Sequence, residues 1–209
     1  MKPHQRQQVV LGNVPEEASN NPYLIPFLLI TSLFFLWGLA GILNAALIAH
    51  FQPVFDINRA EALLVETAFY LGYFVIAIPA GMFIQKYSYK KGILLGLLLY
   101  FIGALMFIPA TKTLYFGSFL LALFVIATGL AFLETAANPY ITILGKPEKA
   151  TQRLNLAQSF NGLALVVGPW LASVLIFSEG KEVFISEAEK QAAANAVVWP
   201  YLGIGISVL

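Results

Sequence analysis

Apolar residues in this chain come in long unbroken runs separated by short polar joints, not in the alternating or amphipathic patterns of water-soluble elements. Runs of ~18 to 20 residues suffice to cross ~30 Å of hydrocarbon as helix. The pattern predicts spanning helices over residues 24–49, 62–84, 92–109, 114–144 and 154–177. A sixth run opens at Val197 and is still apolar at Leu209. Its thirteen residues, 197–209, fall short of the ~17 needed to cross, so the reading expects an incomplete sixth span and a chain that is a fragment. The expected organisation is a polar tail over residues 1–23 and an all-α membrane bundle over residues 24–209.

Composition narrows the function classes. The chain is 59% hydrophobic and 11% charged, with mean hydropathy +0.77 and a formal charge of +1, which gives no pull toward nucleic acid. The absence of cysteine excludes disulfides and thiolate metal sites. His4 and His50 are read as lying outside the apolar core, and no Ser/His/Asp set or metal-ligand cluster is present. The expectation is therefore no enzyme, no metal and no cofactor. The polar tail lacks the short apolar core of a cleavable signal, so the first span itself directs insertion.

Lysine and arginine set the orientation. With the N-terminus inside, the inner segments hold Lys2, Arg6, Lys86, Lys90, Lys91, Lys146, Lys149 and Arg153, against Arg59, Lys112, Lys181 and Lys190 outside. Eight against four favours a cytoplasmic N-terminus. The acidic stretch 178–196 reads as a solvated connector, amphipathic or irregular, on the outer side.

Against this background one charge stands out. Glu134 is the sole ionisable carboxylate or base in the run 114–144. At bilayer depth such a group costs at least ~2.5 kcal/mol and marks an ion, proton or substrate path. Helical spacing puts Ala127, Ala131, Glu134 and Asn138 on one small, polar face. Gln158 and Asn161 share a face of the fifth span, followed by Leu165 and Gly168. The second span offers Glu66, Tyr70, Tyr73 and Ala77, the first Trp37, Gly41, Asn44 and Ile48. Each stripe alone also serves plain helix packing. Four together read as the wall of a polar cavity, and amides with aromatic rings suit an uncharged polyol. No lysine or arginine lies at depth, which argues against an anionic substrate. Glu66, close to the outer loop, either reaches water or joins the cavity. Gly38-Leu39-Ala40 is echoed by Gly129-Leu130-Ala131, a weak trace of the three-plus-three repeats of secondary transporters.

Several stretches together resemble the N-terminal half of the fucose–galactose–glucose:proton symporters of the major facilitator superfamily. They are Ile25-Pro26-Phe27, Ser32 through Trp37, Ala68-Phe69-Tyr70, Gly72-Tyr73-Phe74 and Ile78-Pro79-Ala80-Gly81. Ser88-Tyr89-Lys90, Leu133 through Pro139, and Arg153 through Gln158 with Phe160-Asn161 complete the series, in order along nearly the whole chain.

The resemblance implies a twelve-helix transporter in two six-helix halves, monomeric when complete, in the bacterial inner membrane. By it, a proton gradient drives uptake of a neutral hexose or an L-fucose-like deoxyhexose through alternating access, and the missing partner is the C-terminal half. It assigns proton and sugar coupling to Glu134 and sugar contacts to Gln158 and Asn161; the polar faces add Asn44, Tyr73 and Asn138 as candidate sugar contacts beside Glu134. It places Lys86, Lys90 and Lys91 in the loop that gates the inner side. One departure stands against it. Where the family pattern in span one reads Leu-Asn-Asp, this chain has Leu43-Asn44-Ala45. A proton-uncoupled facilitator and a non-transporting sugar sensor are the alternatives left open.

Overall fold

The computed structural model describes residues 22–177 and 186–207, and these residues are helical almost throughout, with no strand among them. Helix α1 (Leu24–Phe55) leads through the one-turn α2 (Arg59–Ala62) into α3 (Leu64–Tyr87). There follow α4 (Tyr89–Thr113), α5 (Phe116–Ile143), a 3-10 turn at Pro147–Lys149, and α6 (Ala150–Leu175). Two shorter helices, α7 (Glu187–Ala196) and α8 (Val198–Ser207), complete the described chain. Among the described residues five helices are long and apolar enough to cross a membrane; α1, α3, α4 and α6 run past the expected apolar windows at one end or both, where flanking polar residues join the same helix, whereas α5 stays within its window. Asp56 and Leu114, both at positive φ (54° and 46°), end α1 and α4, each returning its backbone N–H to the preceding turn.

The packing order sets the geometry of everything that follows. Helix α5 lies between α3 and α4, while α1 pairs along its length with α6, and α8 rests on α4. Accordingly α5 is the most enclosed, with 56% of its most apolar window buried against 17% for α6. Close approach here depends on glycine. Gly129 of α5 faces the backbone of α4 so tightly that an added Cβ would lie 2.5 Å from Tyr100 N and 2.7 Å from Gly96 O. Without a hydrophobic drive between helices in lipid, such backbone-to-backbone fit is what holds them together. Gly38 does the same for α1 against α6, where a Cβ would meet Asn161 O at 2.8 Å. The repeated Gly-Leu-Ala triplet therefore marks a helix crossing in each case, although on different partners.

At the far end a cluster of rings closes the bundle. Phe51, Phe107 and Phe119 are fully enclosed; Phe51 and Phe119 stand 5.1 Å apart, and Phe107 stacks on Tyr201 at 4.8 Å. Two expectations are corrected beside it. His50 is not outside the core: it is 4% exposed, and its Nε2 is 2.9 Å from Ala193 O. Residues 187–196 take the amphipathic of the two expected forms but are only partly solvated. That stretch is α7, started by a reciprocal Ser186–Glu189 capping box, and it buries Ala193 and Ala194 against the bundle. Gln191 Nε2 donates to Thr111 O at 2.7 Å, so α7 is tied to α4 as well as to α1. Residues 178–185 lie outside the described part.

Candidate functional site

Between α3 and α5 an open cleft of about 380 Å³ is lined by Tyr73 and Ala77 from one helix and by Ala131, Glu134, Thr135 and Asn138 from the other. That volume is near the lower end of the ~300 to 1,000 Å³ range of small-molecule sites. Helical spacing accounts for the lining. Ala131, Glu134, Thr135 and Asn138 recur at three and four residues, which stacks them on one side of α5. The stripe divides at Ala127, which is fully buried where Gly72 of α3 comes close (an added Cβ would be 2.8 Å from Ala127 Cβ). That contact brings the two helices together at one point, and the cleft opens beyond it.

The lining mixes a carboxylate, an amide, a phenol and a hydroxyl with small apolar side chains, and holds no cation. Glu134 is half-buried and makes no hydrogen bond or ion pair with any described residue. An intramembrane carboxylate without a fixed partner is free to take a proton or a hydroxyl donor. Thr135 donates its hydroxyl to Ala131 O at 2.7 Å, inside its own helix. Asn138 Oδ1 accepts from Gln158 Nε2 at 3.2 Å, which brings α6 to one end of the polar strip. Pro139 has no N–H, so the carbonyl of Thr135 lacks its usual helical donor and adds an acceptor beside the cleft. Neither Thr135 nor this carbonyl was singled out from the sequence. The signal was there in Pro139, four residues after Thr135.

Other expected site residues lie elsewhere. Asn44 is 3% exposed, absent from the cleft lining, and its Oδ1 has no hydrogen-bond partner. Asn161 donates Nδ2–H to Phe34 O of α1 at 2.9 Å, so this amide N–H fixes α1 to α6 and does not line the cleft. Truncation to alanine leaves the Phe34 carbonyl without that donor. Asn161→Ala should cost about 1 to 2 kcal/mol, read as a lower melting midpoint in detergent; an unchanged midpoint would show the bond to be dispensable. Gly168, on the same stripe, seats Ile42 of α1, whereas Leu165 points outward. Glu66 sits in the first turn of α3, two turns before Tyr73 and outside the lining. There it faces the positive end of the helix dipole, which accounts for a carboxylate without any part in the cleft. Lys86, Lys90 and Lys91 are exposed at the α3–α4 turn, with the Lys86 and Lys91 ammonium groups 5.3 and 5.5 Å from the Tyr87 ring centre.

The bundle of apolar, membrane-length helices carries a polar cleft in the C-terminal half of its most enclosed helix, and similarity to known proteins places it in a class of membrane transporters. The Major Facilitator Superfamily profile matches residues 27–207, and the chain belongs to that superfamily. Within it, the chain is 46% identical to an L-fucose-proton symporter of Haemophilus influenzae, over 90% of this chain and 47% of that protein. It is 42% identical to a glucose/galactose transporter of Brucella abortus, over 92% of this chain and 45% of that protein. The crystal structure of an Escherichia coli fucose:proton symporter superposes with a TM-score of 0.71 at 40% identity, covering 89% of this chain and 48% of that one. The chain thus spans about half the length of the curated relatives it matches. The family is one of transporters, not an enzyme class.

Proposed function

We propose that this chain forms the N-terminal six-helix half of a twelve-helix sugar:proton symporter, and that Glu134 couples proton and sugar. The observation that carries the reading is a half-buried carboxylate with no fixed partner, facing an open cleft whose other polar groups are neutral. A neutral sugar offers hydroxyl donors to that carboxylate. Asn138, Tyr73 and Gln158 supply both donors and acceptors for the remaining hydroxyls, and the Tyr73 ring covers an apolar sugar face. Among the described residues no cation stands at the cleft to hold an acid, so a hexose or deoxyhexose fits better than a sugar phosphate or a carboxylate substrate. The names of the relatives supply the choice between L-fucose and glucose or galactose.

In this reading Glu134 takes a proton while the cleft faces outward and releases it inward, with the sugar bound in between. Desolvation disfavours the ionised carboxylate, whereas water and hydroxyl donors favour it. A change in what covers the cleft is therefore enough to drive the exchange. Lys86, Lys90 and Lys91 take the gating role at the inner face, with the N-terminus cytoplasmic. The test is uptake into proteoliposomes holding the complete transporter, against a panel of sugars, with external pH recorded. Alkalinisation on adding one sugar fixes substrate and coupling ion together; uptake without any pH change rules out the proton as coupling ion.

Ala45 bears on that second outcome. It is exposed on α1, at the position where the family pattern carries an aspartate. Ala45→Asp should add a second ionisable group on the open side of α1 and shift the pH dependence of uptake. An identical pH profile would remove this position from the coupling machinery.

A further inference from the structure

The helix ends that carry Lys86, Lys90 and Lys91 also include the start of α1 and the α5–α6 connection. Between these last two runs a groove of about 910 Å³. Three of its lining residues are cations, Lys146, Lys149 and Arg153, and Leu24, Phe27 and Leu156 form an apolar wall beside them. The carboxylate of the same connection, Glu148, is exposed and does not line the groove.

Arg153 gives the groove its sign. Its Nε donates to Ile141 O at 3.1 Å, Nη2 to Thr142 O at 2.5 Å and Nη1 to Lys146 O at 2.9 Å. These bonds cover the partial negative charge of the last turn of α5, which would otherwise repel an anion. Gly145, at φ 114°, lets the chain turn directly over the guanidinium; a Cβ there would be 3.4 Å from Nη1. The next helix, α6, begins with no side-chain hydrogen bond capping its first turn, which leaves its leading N–H groups open. Lys146 and Lys149 are exposed and reach the groove from its open edge.

We propose that this groove binds the headgroup of an anionic phospholipid from the inner leaflet, with the phosphate among Lys146, Lys149 and Arg153. Basic pockets between membrane helices on the cytoplasmic side are suited to such headgroups. The apolar wall decides between a lipid and a soluble anion. Leu24 is 50% and Leu156 49% exposed, which gives an acyl chain a surface that inorganic phosphate would leave in water. The site lies at the end of α5 and is separate from the Tyr73–Glu134 cleft, so it stands or falls apart from the sugar reading.

The test is native mass spectrometry of the detergent-solubilised full chain, offered phosphatidylglycerol and phosphatidylcholine with the same acyl chains, then inorganic phosphate. A lysine near a charged surface is worth roughly fivefold in affinity. The expected result is preferential retention of phosphatidylglycerol, brought to parity by the K146Q/K149Q pair and restored by K146R/K149R. Circular dichroism of each variant confirms that helicity is kept. Equal retention of the two lipids, or a preference that survives K146Q/K149Q, would overturn the assignment. So would displacement of the lipid by millimolar inorganic phosphate.

Discussion

With Glu134→Gln, sugar accumulation against a gradient falls to the level of empty vesicles, while sugar binding and exchange persist. Glutamine keeps the size of the side chain and both kinds of hydrogen-bonding group, so the contacts a neutral carboxyl makes to hydroxyls are largely preserved. What it lacks is the ability to lose a proton. The two functions therefore separate at this residue, because Glu134 has no ion-pair partner among the described residues whose loss would disturb the fold. Paired measurements of counterflow and of proton-driven uptake decide it. Uphill uptake at the unsubstituted rate would take the proton site away from Glu134, and loss of counterflow as well would make it a binding residue first.

The largest effect on stability is expected from Gly129→Ala. The added methyl group would lie 2.5 Å from Tyr100 N and 2.7 Å from Gly96 O, both backbone atoms that no rotamer change can move. Helices α4 and α5 must separate, along the tightest interface in the bundle. Overpacking of this kind costs typically ~1 to 3 kcal/mol, and the absence of a side-chain escape puts this site at the upper end. The internal control is Gly162→Ala in α6, where nothing lies within 4 Å of the added methyl. There alanine should be neutral or gain up to ~1 kcal/mol from helix propensity. Melting midpoints in detergent compare the two. A Gly129 variant that melts with the parent protein would show that the α4–α5 approach is looser than described.

Runs of apolar residues were enough to place the long helices, because a membrane span is a matter of length and composition. Spacing within a helix likewise put Ala131, Glu134 and Asn138 on one side of α5. Spacing gives an angle around a helix, however, and not the identity of the neighbour at that angle. Asn161 illustrates the gap. Its stripe was sound, yet the neighbour is the Phe34 carbonyl, 127 positions away in sequence. Asn44 is likewise enclosed within the bundle, outside the cleft lining. His50 was misplaced because the apolar run stops at Ala49, while the helix continues to Phe55 and carries the imidazole to Ala193. Helix α7 had a local signal in Ser186-Glu187-Ala188-Glu189, a capping-box pattern that acidity alone obscured.

The fit of α5 between its two neighbours has a consequence for motion. Gly129 locks it to α4 and the Gly72–Ala127 contact locks it to α3, so a helix slide past either neighbour would drive backbone into backbone. Packed helices have few intermediate positions available to them. Glu134 and Asn138 on α5 and Tyr73 on α3 are therefore held in a fixed mutual geometry by these contacts. For the proposed sugar:proton exchange, this assigns the change of environment around Glu134 to what covers the cleft and not to a rearrangement of its own lining.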